Sequence, residues 1–430
     1  MSTSRIKRFN ELFSGLEDCD VDEQKQMIEE MNEIIDEMNK KEFESVFTTR
    51  MFDKIYKMIE EKKMSLKDSL LLLKHMGYCN VLKNMWSSGF NDSEMRRRFE
   101  QMIFEEEKKK EEKNKGLLIN LCECYIFQSC SFTPELLSIC LSCILEAASK
   151  KEESEENQKE VEIALLALSR ISQDFEMKQE LYLKEITEII KHQQKHRNLT
   201  KLANHSAWEF LINRFYTNKL LEDTVVNELH FSREAARELD VLTRNVDWKK
   251  KEEEMNKEEA KEEFTLVRWL QTIVVYFCLC HLRNEENVGL LKNIVQVHRA
   301  AKGDNHRGIR SQCVCSLRNA AENRNVKVED LLKGGAVDAI LERIRRRTLI
   351  DVIVYKCLQF FTIASNRLKE EDDDAKEKVK RKSSKMEIFE KLEEEGYEDI
   401  ITSFYETLNI FNKRHYHTLL LKFSDYFVNV

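Results

Sequence analysis

The run Arg310-Ser311-Gln312-Cys313-Val314-Cys315-Ser316-Leu317-Arg318-Asn319-Ala320-Ala321-Glu322-Asn323 decides the fold, together with Leu331-Leu332-Lys333-Gly334-Gly335-Ala336-Val337-Asp338-Ala339-Ile340-Leu341 just after it. The first block reads as a helix. The paired glycines mark a sharp reversal, because glycine accepts the positive φ that commonly closes a helix C-terminus. Ala336 and Val337 then open the next helix.

Similar apolar blocks recur outward from this point, at 162–171, 207–214, 275–280 and 354–361. With Leu168, Leu211, Leu279, Leu317 and Leu358 taken as equivalent, the spacings are 43, 68, 38 and 41. The long interval contains the charged stretch 249–263. A period near 40 in a helical chain predicts a solenoid of two- or three-helix units. One unit cannot bury its apolar face alone, so neighbours stack and share a core. Pro134 is the lone proline of 430 residues, and glycine occurs ten times. Proline breaks a helix interior, and glycine costs about 1 kcal/mol there relative to alanine, so the chain reads as helical throughout. No alternating run bounded by turn signals predicts a strand.

Toward the N-terminus, amphipathic helices are expected from about Glu23. Met27, Ile28, Met31, Ile34, Ile35 and Met38 form one helical face. Phe43, Phe47, Met51, Phe52, Ile55, Met58 and Ile59 continue it in a second helix, and Leu66 to Met76 form a third that ends near Gly77. Four stretches are dense in charge: Glu105–Lys115, Lys150–Glu160, Lys249–Glu263 and Lys369–Lys385. Their mixed Glu and Lys content permits i,i+4 pairing, so they fit solvated insertions or extensions of helices. Lys380-Arg381-Lys382-Ser383-Ser384 has the form of a basic kinase target. The expected layout is an N-terminal helical cap over 1–115, helical repeats over 116–368, a charged linker over 369–387 and a C-terminal helical cap over 388–430.

Apolar residues make up 42% of the chain and charged residues 34%, which suits long helices with one buried stripe. The net charge is -8, with the two signs interleaved, so the basic excess of a nucleic-acid binder is missing. The longest apolar run, Ile273 to Cys280, is too short for a bilayer, which needs about 20 residues. The N-terminus carries no apolar stretch that would predict a secretory signal. Twelve cysteines sit mostly within apolar helical runs and read as reduced, buried thiols. A cytoplasmic or nuclear protein is expected.

The block 310–323 resembles the second helix of an armadillo repeat, whose core is Ala-Leu-Arg-Asn-Leu-like. The run 331–341 resembles that family's glycine turn and third helix. The match is strong over about 40 residues and weaker over 161–366. It implies a right-handed armadillo/HEAT-like α-solenoid with irregular caps, in an all-α eukaryotic chain. In that family an asparagine lining the concave groove binds the backbone of an extended peptide. The Leu-Arg-Asn match carries this role onto Asn319, and Asn213 fills a similar slot in Phe210-Leu211-Ile212-Asn213. Arg170 and Phe360 take the slot in other blocks. Cys315 and Trp208 do not reproduce a tryptophan–asparagine ladder, which argues against a nuclear-import receptor. The competing reading makes Asn319 a surface or capping residue.

Arg343 and Arg345, with Arg346 and Arg347, close the helix after the glycine pair. They serve either the helix dipole or a basic patch gripping an acidic peptide or phosphate. Lys191–Arg197, with His192 and His196, and Arg96–Arg98 are similar clusters. Cys140 and Cys143 share a helix face, but a structural zinc site needs four ligands, so neither metal nor cofactor is expected. Phosphate-loop, nucleophile-elbow and zinc-protease motifs are missing. Gly303–Gly308 reads as a turn before a helix starting near Ile309. The expectation is a non-catalytic scaffold or adaptor that binds a peptide or helix of a partner protein. Alternatives are a module binding a small GTPase or the cytoskeleton, as in formin N-terminal regions, an exchange cofactor of the Hsp70 system, and an enzyme with a site assembled from distant residues.

Overall fold

A computed structural model describes residues 2–46, 49–82, 101–106, 120–122, 124, 161–167, 169, 183–196, 199–214, 219–250, 255–301, 306–345, 359–360 and 363. Among these the architecture is all-helical, with no strand. The chain divides into two compact units, Met1–Leu211 with Lys249–Thr265, and Ile212–Trp248 with Leu266–Val430.

In the first unit, α1 (Ser2–Gly15) precedes the expected helical start, because Phe9, Leu12, Phe13 and Leu16 form a buried stripe. Asp20 caps α2 (Val21–Glu37), accepting from the N–H groups of Asp22 and Glu23 at 3.0 and 2.9 Å. Ile28, Met31, Ile35 and Met38 are buried, as the spacing predicted. The stretch expected as one helix from Phe43 to Ile59 is described as α3 (Lys40–Val46) and α4 (Thr49–Glu60), on either side of residues 47–48. A capping box opens α3. Glu42 N–H donates to Asn39 Oδ1 and Asn39 N–H donates to Glu42 Oε2, both at 3.0 Å. Gly77 does not end the next helix: α5 (Leu66–Leu82) runs past it. Its buried Leu70, Leu72 and Leu73, on a helix packed against α2 and α4, outweigh one glycine.

The end of α4 is a Schellman motif. Lys63 N–H donates to Met58 O at 2.8 Å and Lys62 N–H to Ile59 O at 3.0 Å, with Lys62 at φ 56°. Arg8 grips Glu30 bidentately at 2.7 and 2.8 Å between α1 and α2. Farther along lie α6 (Leu183–His196) and α7 (Lys201–Asn213). The charged stretch 249–263 becomes helix in its second half, as the first turns of α10 below. Asn256 and Glu259 cap it reciprocally at 2.9 and 3.0 Å, and Lys250 pairs with Glu259 at 2.6 Å.

The second unit holds α8 (Lys219–Asp223), a π-helix (Thr224–Glu228), α9 (Phe231–Asn245), the larger part of α10 (Lys257–Leu279), α11 (Asn287–Ala300), α12 (Arg307–Glu322), α13 (Val328–Lys333) and α14 (Ala336–Arg345). Within it, α11 packs on α9, α12, α13 and α14. Leu290, Leu291, Ile294, Val295 and Val297 supply its buried side. The glycine pair performs the expected reversal between α13 and α14. Gly335 takes φ 73°, while Gly334 stays right-handed at φ −75° and packs against Leu291.

Candidate functional site

One face of α12 carries Ser316, Asn319 and Asn323, spaced by three and four residues. All three reach the backbone of α10. Ser316 Oγ lies 3.4 Å from Leu270 O, and Asn319 Nδ2 donates to Val274 O at 3.2 Å. Asn323 Nδ2 donates to Phe277 O and Cys280 O, each at 2.8 Å. The partner numbers rise together, so α10 and α12 run parallel here. The lateral offset is 45 or 46 residues, longer than the 38 that equates Leu279 with Leu317. The last carbonyls of a helix have no intrahelical donor, and Asn323 supplies one from a neighbouring element.

The connection after α10 is clamped from several sides. Glu222, buried on α8, accepts from the N–H groups of His281 and of Leu282, the latter at 2.9 Å. Ser232 donates to Asn287 Oδ1 at 2.8 Å, receives Asn284 Nδ2 at 3.2 Å, and lies 3.1 Å from the Tyr276 hydroxyl. Burial pushes the Tyr276 hydroxyl well above its ordinary range and the Cys280 thiol up to about 12. Ser232 and Tyr276 have no exposed surface, so these hydroxyls hold backbone in place and do not reach a substrate. His230, between the π-helix and α9, adopts φ 54° and pairs with Glu286 at 3.3 Å. Left-handed backbone at a non-glycine residue persists where its surroundings dictate it.

From this fixed framework His281, Arg283 and Glu285 face solvent. Beside the seam, Arg318 is held on two sides. Its Nη1 donates to Asn319 Oδ1 at 3.0 Å, and its Nη2 lies 2.9 Å from Glu322 Oε2. The arrangement can present a rigid array of polar side chains to another molecule.

The residues singled out from the sequence fall in different places. Asn319 is 4% exposed, and its amide is engaged with Val274, Cys278 and Arg318. It is therefore neither a surface nor a capping residue; it links two helices and positions Arg318. Asn213, the last residue of α7, is half-buried. Phe360 is fully buried, so its ring belongs to the core and offers no contact area. Arg343 and Arg345 lie on the last turn of α14. Arg170, Arg96–Arg98, Cys140, Cys143 and the 380–384 motif lie outside the described residues. The sequence reading missed Glu222, His230, Ser232, Asn284 and Asn323, whose signal is polar residues just beyond the ends of apolar runs. Among the described residues, no group of three or more His, Cys, Asp or Glu side chains is placed to hold a metal ion, and no helix is long and apolar enough to cross a membrane.

No protein-family model matches the chain, and no curated protein matches it.

Proposed function

We propose that the chain is a non-catalytic interaction module, an armadillo/HEAT-type solenoid that binds a peptide or helix of a partner protein. The carrying observation is the parallel α10–α12 pair locked by side-chain-to-carbonyl bonds, with α11 packed on α9 and on α13–α14. Packing of α9 on α11, beside the bonded α10–α12 pair, is in keeping with a stack of helix pairs. The glycine reversal at 334–335 is in keeping with the same reading. A scaffold fixed in this way loses little conformational entropy on binding, so contacts convert efficiently into affinity.

In this proposal the partner meets the exposed side of the α10–α12 seam. Arg318 contacts an acidic or carbonyl group of the partner, and Asn319 works from beneath by fixing the guanidinium. The test is quantitative affinity purification with the full chain, comparing wild type, Arg318→Ala and Asn319→Ala, alongside thermal denaturation. Arg318→Ala should lose the principal partner at an unchanged melting temperature. Asn319→Ala should lower the melting temperature as well. Undiminished capture by Arg318→Ala removes this face from the binding surface.

A further inference from the structure

The guanidinium of Arg318 has two edges, and its neighbours fill one of them only by half. Asn319 fixes the first edge. Its Nδ2 donates to Val274 O at 3.2 Å and to Cys278 Sγ at 2.9 Å, which leaves Oδ1 to accept from Arg318 Nη1 at 3.0 Å. The other edge is formed by Nε and Nη2, whose N–H bonds run parallel and match the two oxygens of a carboxylate. Arg8 uses that edge in full, with Nε and Nη2 on the two oxygens of Glu30 at 2.7 and 2.8 Å. Arg318 does not. Glu322 Oε2 stands 2.9 Å from Nη2, while Nε is closed to water and has no hydrogen-bond acceptor among the described residues. Glu322 is confined to the same helix, one turn along α12, whereas Glu30 reaches Arg8 from a different helix. A donor shut away from both water and acceptors is unfavourable. The Glu322 side chain is 55% exposed, so turning it out to solvent costs little.

We propose that the Nε–Nη2 edge of Arg318 is a seat for a carboxylate of the partner, and that Glu322 is its internal occupant, displaced when the partner binds. This rests on the partner meeting the α10–α12 seam, and it names the group recognised there. The incoming carboxylate takes Nε and Nη2 together, so the stranded donor is satisfied and a one-point contact becomes a bidentate one. One guanidinium beside one carboxylate suits a monoanion better than a phosphate dianion, which Glu322 would repel more strongly. Competition from Glu322 also makes the seat selective. A neutral carbonyl must displace a charged group and gains less in return. The ligand group is the side chain of an aspartate or glutamate, or the C-terminus of a partner chain.

The probe is a set of short peptides enriched on the full chain from a random display library, then synthesised and titrated by fluorescence anisotropy. Each is made as the free acid, as the C-terminal amide, and with its Asp and Glu residues changed singly to Asn and Gln. Loss of one particular carboxylate should weaken binding to wild type by at least about tenfold, the scale of hydrogen bonds to charged groups, and should weaken binding to Arg318→Ala far less. The amide arm separates a chain terminus from a side chain. Arg318→Lys keeps the charge without the fork and should recover little of the loss. Glu322→Gln should tighten binding about two- to fivefold, the scale of an exposed ion pair. Because the peptide series runs on wild type, a poorly folded Arg318 variant does not blunt the test. Binding that needs Arg318 but is indifferent to every carboxylate overturns the seat and leaves the seam standing. Glu322→Gln weakening binding as Arg318→Ala does also overturns it, because Glu322 then serves the partner and does not compete with it. Peptides indifferent to Arg318→Ala, or no enrichment over bare support, remove the seam and the seat together.

Discussion

The two glycines at the α13–α14 turn have different tasks, and alanine substitution separates them. A Cβ on Gly334 would stand 2.6 Å from Leu291 Cβ, 3.0 Å from Asp330 O and 3.4 Å from Leu291 Cδ1. Carbon atoms settle about 3.5–4.0 Å apart, so α11 and α13 must separate by roughly 1 Å to admit the methyl group. Overpacking of this kind costs about 1–3 kcal/mol, and the smaller entropy of the unfolded alanine chain returns about 0.4–1 kcal/mol. The net expectation for Gly334→Ala is a loss of about 1–2 kcal/mol. At Gly335 the added Cβ meets only Val295 Cγ1, at 3.9 Å, and the cost is backbone strain at φ 73°. That costs about 1–2 kcal/mol for alanine and less for asparagine, which tolerates the left-handed region. Native-state hydrogen exchange over 287–345 measures both, because it reports local opening within one unit. Gly335→Asn should rescue most of the loss of Gly335→Ala, whereas Gly334→Asn should be worse than Gly334→Ala. A neutral Gly334→Ala, or equal behaviour of asparagine at both positions, would refute the division of labour.

Three further outcomes are expected. Lys62→Gly should stabilise the first unit by about 1 kcal/mol, because the Schellman position is left-handed and exposed; denaturant midpoints on the full chain measure it. Asn323→Ala should cost about 2–3 kcal/mol and raise exchange at the end of α10, since it strands Phe277 O and Cys280 O and also removes the bond from Asn325 N–H to Asn323 Oδ1. The Arg8 side chain holds the Glu30 carboxyl below its ordinary value, so the pair's contribution is present above the unfolded carboxylate range. It should be lost as pH falls through the depressed value. Stability measured against pH for wild type and Glu30→Gln should converge at low pH, and added salt should narrow the gap at neutral pH.

Helix content was legible because it is encoded locally, in stripes such as Ile28, Met31, Ile35 and Met38 and in the scarcity of proline. The Gly334-Gly335 reversal was legible for the same reason. The capping pairs Asn39/Glu42 and Asn256/Glu259 were on view as Asn-x-x-Glu, though helical periodicity alone passes over them. The clamp around the α10–α11 connection was not legible. Its members come from segments 40 to 60 residues apart, and nothing local in Glu222 or Ser232 names the carbonyl or amide it will meet. Asn319 shows the limit most clearly. Its groove-lining role came from the Leu-Arg-Asn resemblance, but its amide is taken up by the backbone of α10. Gly77 misled because its cost is small beside the tertiary burial of α5.

The rungs from Ser316, Asn319 and Asn323 also limit how this region can flex. Rolling α12 by one residue would carry every donor away from its carbonyl together, so the pair has no inexpensive half-slipped state. Bending must then be absorbed outside this pair, and a ligand spanning Arg283 and Arg318 would meet a ruler of constant length.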